Sequence, residues 1–217
     1  MGTRTNAERM LGWVEAERLG VADLLADLDD AEWKAPSLCA GWTVRDVAAH
    51  LTLSTRTTWR MVLGGALRAR GDWNRMEAEF AVRRAAAFPP AELIAQIRET
   101  AGSPRRAPMA APADPLVDFL VHGQDIARPL GRTRAMPAEP TAAALDHVVG
   151  SPFYGARKRL RGLRLIATDA DWSTGDGAAG AEEVRGPAAD LLLLATGRPA
   201  GLAGVSGPGA ARLAAVL

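Results

Sequence analysis

Cysteine is nearly missing from this chain: Cys39 is the single thiol in 217 residues. One thiol makes neither an internal disulfide nor a paired-cysteine zinc knuckle, which fits a reducing compartment and leaves any metal to histidine and carboxylate. Histidine is scarce too, with three residues. Lysine is confined to Lys34 and Lys158, and with the abundance of alanine this reads as genomic composition bias. Neither sign of charge dominates: 26 basic against 25 acidic residues give a formal +1, so nothing overall draws the chain to nucleic acid or to an anionic membrane. No apolar run approaches the roughly 20 residues that span a bilayer, the longest being Leu191 to Ala195. The N-terminal MGTRTNAERMLGWVEAERL mixes charge with apolar residues where a signal peptide has a continuous apolar core. The expectation is a cytoplasmic protein with a small-molecule partner, no nucleic acid and no membrane.

What is present is the material of a folded domain, with 48% hydrophobic and 24% charged residues. From Asn6 to Asp29 the apolar positions Met10, Trp13, Val14, Val21, Leu24, Leu25 and Leu28 recur at steps of three and four, the period of an amphipathic helix. Thr43-Val44-Arg45-Asp46 reads as a capping box opening a second helix, expected to run to the Gly64-Gly65 pair or on to Gly71. Further helices are expected over Asn74 to Ala87, after Pro89-Pro90, over Leu116 to Ala127 and over Thr141 to Leu160, with a proline-rich loop from Gly102 to Pro115.

Around Gly162 the texture changes. Leu163 to Thr168 alternates like a half-buried strand, and Glu182 to Arg185 is its expected antiparallel partner. A short helix after Pro187, a strand over Leu202 to Val205 and a closing helix from Gly209 complete the reading. The fold class is therefore α+β, with a helical bundle over residues 1–160 and a small α+β domain over 161–217. Gly175-Asp176-Gly177 lacks the strand-to-helix setting of a phosphate loop.

The most specific local arrangement is Asp118-x-x-x-His122 with Asp125 three residues on, all on one helical face. His50, in an apolar stretch of the second helix, is the candidate third ligand beside Asp118 and His122. Two histidines and one carboxylate leave a coordination position open, as catalytic metal sites do. The plain alternatives are a hydrogen-bonded core histidine at 50 and a surface Asp–His pair at 118 and 122. Cys39 has no histidine or basic cluster near it in sequence to activate it, which favours a structural thiol. The six tryptophans read first as core and domain-packing residues. The alternative for Trp33 and Trp42, which bracket the loop before His50, is to wall a pocket there, Trp42 being the candidate cofactor-binding residue. His147 lacks a carboxylate partner at helical spacing, and the basic run Arg157 to Arg161 reads as a solvated helix end.

The stretch from Trp33 through Ser37-Leu38-Cys39-Ala40-Gly41-Trp42-Thr43-Val44-Arg45-Asp46 to His50-Leu51 resembles the signature of the mycothiol-dependent maleylpyruvate isomerase family. Asp118-Phe119-Leu120-Val121-His122-Gly123-Gln124-Asp125-Ile126, with Pro129-Leu130-Gly131, resembles that family's second metal motif, and Asp190 to Leu194 with Gly197-Arg198 its C-terminal domain. The resemblance implies a DinB-like up-and-down four-helix bundle with a sterol-carrier-protein-like C-terminal domain. It also implies a divalent metal, usually zinc, on His50, Asp118 and His122, with mycothiol as thiol cosubstrate. Arg198 is the best match to an arginine acting on the substrate carboxylate. The isomerase has glutamate where this chain has Asp118, one methylene shorter. The expected activity is S-transfer to, or cis–trans isomerisation of, a small electrophile. The alternative is a non-catalytic small-molecule-binding protein that keeps the scaffold without a functional metal site. Alanine- and glycine-rich surfaces suit a monomer or a weak homodimer.

Overall fold

In a computed structural model the chain is described over residues 5–174 and 180–217; the Gly175-Asp176-Gly177 stretch lies outside the described residues. Two compact units divide it, Met1–Arg134 and Ala135–Leu217. That division precedes the expected boundary at 160, because the helix over residues 138–150 packs chiefly on a helix of the second unit.

The first unit is helical: α1 Asn6–Ala26, α2 Val44–Arg56, α3 Trp59–Arg68, α4 Trp73–Ala87, α5 Pro90–Glu99 and α6 Asp114–Ala127. Capping boxes start two of these helices. Thr5 and Glu8 satisfy each other's backbone donors at α1, and Thr43 and Asp46 do so at α2 as the sequence predicts. The second predicted helix is two helices. Thr57 bonds back through its hydroxyl to the Leu53 carbonyl and turns extended, and Thr58 then caps α3 by accepting from Met61 N. Phe88, forced out of the helical region by the proline that follows, separates α4 from α5.

Helix α1 packs on α5 and α6, and α2 on α4, α5 and α6, around a core that includes Val21, Leu25, Trp33, Val47, Leu51 and Phe119. Trp33 is thus a core residue rather than a pocket wall. Among the charged side chains buried inside this unit, Arg18 carries no signal in the sequence pattern. Arg18, 1% exposed, donates from Nη1 to the carbonyls of Thr100, Ala101 and Ser103 at 2.8–3.0 Å, closing the end of α5.

The second unit holds α7 Ala138–Gly150, α8 Ala156–Arg159, β1 Leu163–Ala167, β2 Glu182–Gly186, α9 Ala188–Ala195 and α10 Ala210–Ala214. The predicted helix over Thr141 to Leu160 is broken where Ser151 turns extended before Pro152 and Gly155 takes a positive φ of 68°. Strands β1 and β2 pair in parallel, Leu163 opposite Glu182 and Ala167 opposite Gly186, which corrects the antiparallel expectation. The antiparallel neighbour of β1 is Ser173, opposite Ile166, so the chain reverses there and returns to enter β2 in the same direction as β1. The predicted strand over Leu202 to Val205 lies mostly in a 3-10 turn, Pro199–Gly204; only Ser206 bridges to Arg185. No helix among the described residues is long and apolar enough to cross a membrane.

Candidate functional site

The site is built where α2 meets α6. Ala48 and Ala49 of α2 are wholly buried, and side chains this short let two helix backbones approach closely. His50 follows them on α2. On α6, Asp118 and His122 stand one turn apart, and the ligand atoms of His50, Asp118 and His122 all lie within 4.8 Å of one another. The His50 and His122 rings meet edge to face with centroids 4.9 Å apart. Trp42 lies against the other histidine, its ring 5.4 Å from that of His50.

Behind His122 stands a second group. Asp125, fully buried, accepts a hydrogen bond from Nδ1 of His122 at 2.9 Å and another from the Cys39 thiol at 3.2 Å. Nδ1 being engaged, Nε2 is the nitrogen of His122 left to serve as a ligand beside His50 and Asp118. A carboxylate holding the far nitrogen of a histidine ligand is what fixes such a ring's tautomer and orientation in metal sites. Burial by itself lowers an imidazole's pKa, but the bond to Asp125 and the neighbouring Cys39 sulfur outweigh it and raise His122 to about 10. The metal-free imidazole is therefore cationic, and a metal must displace its proton to bind.

The donor set fits a divalent cation: nitrogen, nitrogen and oxygen, with a carboxylate behind one imidazole. Around tetrahedral zinc such atoms sit roughly 3.4 Å apart, and the short Asp118 side chain stays within reach because the helices are close. His50, Asp118, Glu77, Trp73, Ser54 and Thr57 also line a cavity of about 80 Å³. That volume is well below the about 300–1,000 Å³ of a pocket that engulfs a whole drug-sized molecule, so the cavity admits the reactive end of a ligand. In it Glu77 is raised to about 7, first by burial and then by the charge of Asp118, with His122 and the Trp73 indole pulling the other way.

Three features escaped the sequence reading. Glu77 has no local signal, for it reaches the site from α4 across the bundle. The Asp125 pairing with His122 was legible as an i, i+3 carboxylate–histidine pair, but its role was not. Cys39 has no histidine near it in sequence, yet its sulfur lies 3.6 Å from Nδ1 of His122, 83 residues away. Arg198 belongs to the second unit, where Nη1 donates to the Thr196 carbonyl at 2.9 Å at the end of α9. His147 packs its ring edge to face on Tyr154 at 5.8 Å in that same unit. In the basic run, Arg157 and Arg159 donate to the carbonyls of Gly150 and Ala195, the C-terminal residues of α7 and α9, as cations at helix ends do.

A family model described as the mycothiol maleylpyruvate isomerase N-terminal domain matches residues 14–139. In fold the chain is similar to the crystal structure of the mycothiol-dependent maleylpyruvate isomerase, with a TM-score of 0.61 and 15% sequence identity over 95% of this chain and 94% of that one. No curated protein matches the chain.

Proposed function

The chain belongs to the mycothiol maleylpyruvate isomerase family through its N-terminal domain, and from that premise we propose that it is a cytoplasmic metal- and mycothiol-dependent enzyme acting on a small electrophile. The observation that carries the reading is the meeting of His50, Asp118 and His122, with Asp125 holding the far nitrogen of His122. These three residues would hold the divalent metal, zinc by expectation. When bound, the cation supplies a local positive charge that favours thiolate over thiol.

The chain's own residues divide the remaining work. Glu77, a carboxylate poised near neutral, accepts the proton that the thiol gives up; a base whose pKa lies near the working pH is best matched to that task. Trp42 walls the His50 side and presents an apolar face to the cosubstrate. Arg198 is the residue proposed for the substrate carboxylate. In S-transfer, which we favour, the thiolate then attacks carbon of the electrophile and stays attached, the C–S bond forming as the bond to the leaving group breaks and that group departs with the electron pair. In isomerisation the thiolate adds to a conjugated cis double bond, the resulting single bond rotates, and expulsion of the same thiolate leaves the trans product.

Elemental analysis of wild type beside His50→Ala, with mycothiol consumption measured against maleylpyruvate and against a simple alkylating electrophile, tests the reading. The expected result is close to one zinc per chain and thiol-dependent turnover; the variant loses turnover, and in a Cys39→Ser background, which removes the neighbouring thiol as a competing ligand, it loses the zinc as well. A wild type that retains no metal and turns over neither substrate moves the chain to the non-catalytic binding reading.

A further inference from the structure

The seat described above uses one nitrogen of His122; the other nitrogen faces a donor set of its own. Nδ1 of His122, Oδ2 of Asp125 and Sγ of Cys39 form a triangle with edges of 2.9, 3.2 and 3.6 Å. Around a tetrahedral zinc-like ion, bonds of roughly 2.0–2.3 Å place nitrogen, oxygen and sulfur ligands roughly 3.3–3.6 Å apart. The three atoms already stand within a few tenths of an ångström of that spacing.

Backbone contacts fix the triangle. The loop before α2 is pinned to α6 by Leu38 N donating to the Asp125 carbonyl at 3.0 Å. Ser37 Oγ accepts from Cys39 N at 3.1 Å and donates to the Trp42 carbonyl at 2.8 Å, so the cysteine is held in its turn. A half-buried Cys39 leaves a way in.

Charge and softness separate the two sets. Thiolate and carboxylate together neutralise a dication, which suits a position where Asp125 is 0% exposed. The His50 set carries a single negative charge against the same dication. Sulfur also selects for thiophilic cations, whereas imidazole and carboxylate alone do not.

We propose that Cys39, Asp125 and Nδ1 of His122 form a second metal seat, for a thiophilic divalent cation, which shares its imidazole with the His50 seat. On occupation the Cys39 S–H bond and the Nδ1–H bond of the cationic His122 ring each give a proton to solvent, and the lone pairs so freed on sulfur and nitrogen bind the cation. The neutral ring has one lone pair, so ligation through Nδ1 leaves the ring proton on Nε2 and withdraws His122 from the His50 side. The two seats are mutually exclusive. This proposal stands on the Cys39 geometry and holds whether or not the chain is an enzyme.

Titration of the metal-free full-length protein with Co²⁺ tests it, because thiolate ligation gives an intense near-ultraviolet charge-transfer band that nitrogen and oxygen ligands do not. With one cysteine in the chain, such a band in wild type comes from Cys39 alone. The expected result is a band that saturates at one equivalent in the His50→Ala/Asp118→Ala double variant, is present in wild type at an intensity set by competition between the two seats, and vanishes in Cys39→Ser, which still binds one cobalt at the His50 seat. Circular dichroism checks that each variant keeps its helices; should Cys39→Ser not fold, the wild-type and double-variant bands decide alone. Cobalt bound without a thiolate band overturns the proposal and leaves Cys39 a hydrogen-bond donor to Asp125. Failure of the His50 seat looks different: the band remains in wild type and in the double variant, and Cys39→Ser binds no cobalt.

Discussion

The helical unit and the C-terminal unit place their polar groups by different rules. In the first, helices α1 to α4 are capped by side chains within a turn of themselves. Long-range side-chain contacts tie α1, α2 and the loop before α2 to α5 and α6, as from Arg18 to Thr100, Arg56 to Glu99 and Cys39 to Asp125. In the second, the arrangement depends on chain segments that meet from a distance: Ser173 beside Ile166, Ser206 beside Arg185, and β2 beside β1 after a connection of more than a dozen residues. The difference teaches that the candidate chemistry sits on stiff, locally determined elements joined at a few non-local points, and those points are where the molecule is most easily broken.

Arg18 is such a point, and its loss has the largest expected effect on stability. Arg18→Met keeps much of the side-chain volume and removes the charged donor shared by the carbonyls of Thr100, Ala101 and Ser103. Hydrogen bonds to a charged group are each worth about 1.5–3 kcal/mol; with water reaching the more exposed carbonyls, the net expectation is a loss of about 4 kcal/mol by denaturant titration. A change below about 0.5 kcal/mol would mean that α5 ends equally well without the guanidinium.

Glu77 sharpens the comparison from the side of charge. Its folded pKa of about 7 lies above the ordinary carboxylate value of 4.5, so the native state binds more protons than the unfolded chain between those two pH values. The Glu77 contribution to the stability of the metal-free protein is therefore fully present below pH 4.5 and is lost as pH rises through 7, by about 3 kcal/mol. His122, raised to about 10, adds a fall in the adjoining window from 6.5 to 10. Glu77→Gln is expected to flatten the first window and leave the second. Equal slopes in variant and wild type between pH 4.5 and 7 would place the Glu77 carboxylate in water.

Legibility in the sequence followed the same divide. The capping box at Thr43, the apolar stripe of α1 and the Asp118–His122 pair were readable because each is settled within four residues. His50 was readable only as one of two alternatives, a ligand or a hydrogen-bonded core histidine; it is packing across the bundle that sets its ring 4.9 Å from that of His122. The parallel register of β1 and β2 was not readable, for Glu182 to Arg185 has the same alternation whichever way it runs. The break at Thr57 was hidden because the apolar period continues across it into α3. Glu77 and Cys39 carry no marking at all; what makes them notable is packing, which no spacing along the chain encodes.

Asp125 tests how far the candidate metal seat depends on its support. In a Cys39→Ser background, so that only the His50 seat is read, Asp125→Asn is expected to weaken zinc binding 10–100-fold, the usual consequence of removing the carboxylate behind a histidine ligand. Competition with a chromophoric chelator measures this. Unchanged affinity would show that His122 keeps its tautomer without Asp125.

The smallest expected effect probes the other unit. Ser206 and Arg185 exchange both backbone bonds at 2.8 Å, and Ser206→Pro removes the Ser206 N–H donor and leaves the Arg185 carbonyl to water. Val205, already extended at φ −117° and ψ 155°, tolerates a following proline, so the expected loss is about 1 kcal/mol, the net value of one hydrogen bond. Zinc affinity should not change, since the ligands belong to the first unit. If the strand variant weakened zinc binding as much as Asp125→Asn does, the site would depend on the C-terminal unit's bridge, and the separation of chemistry from long-range pairing drawn above would fail.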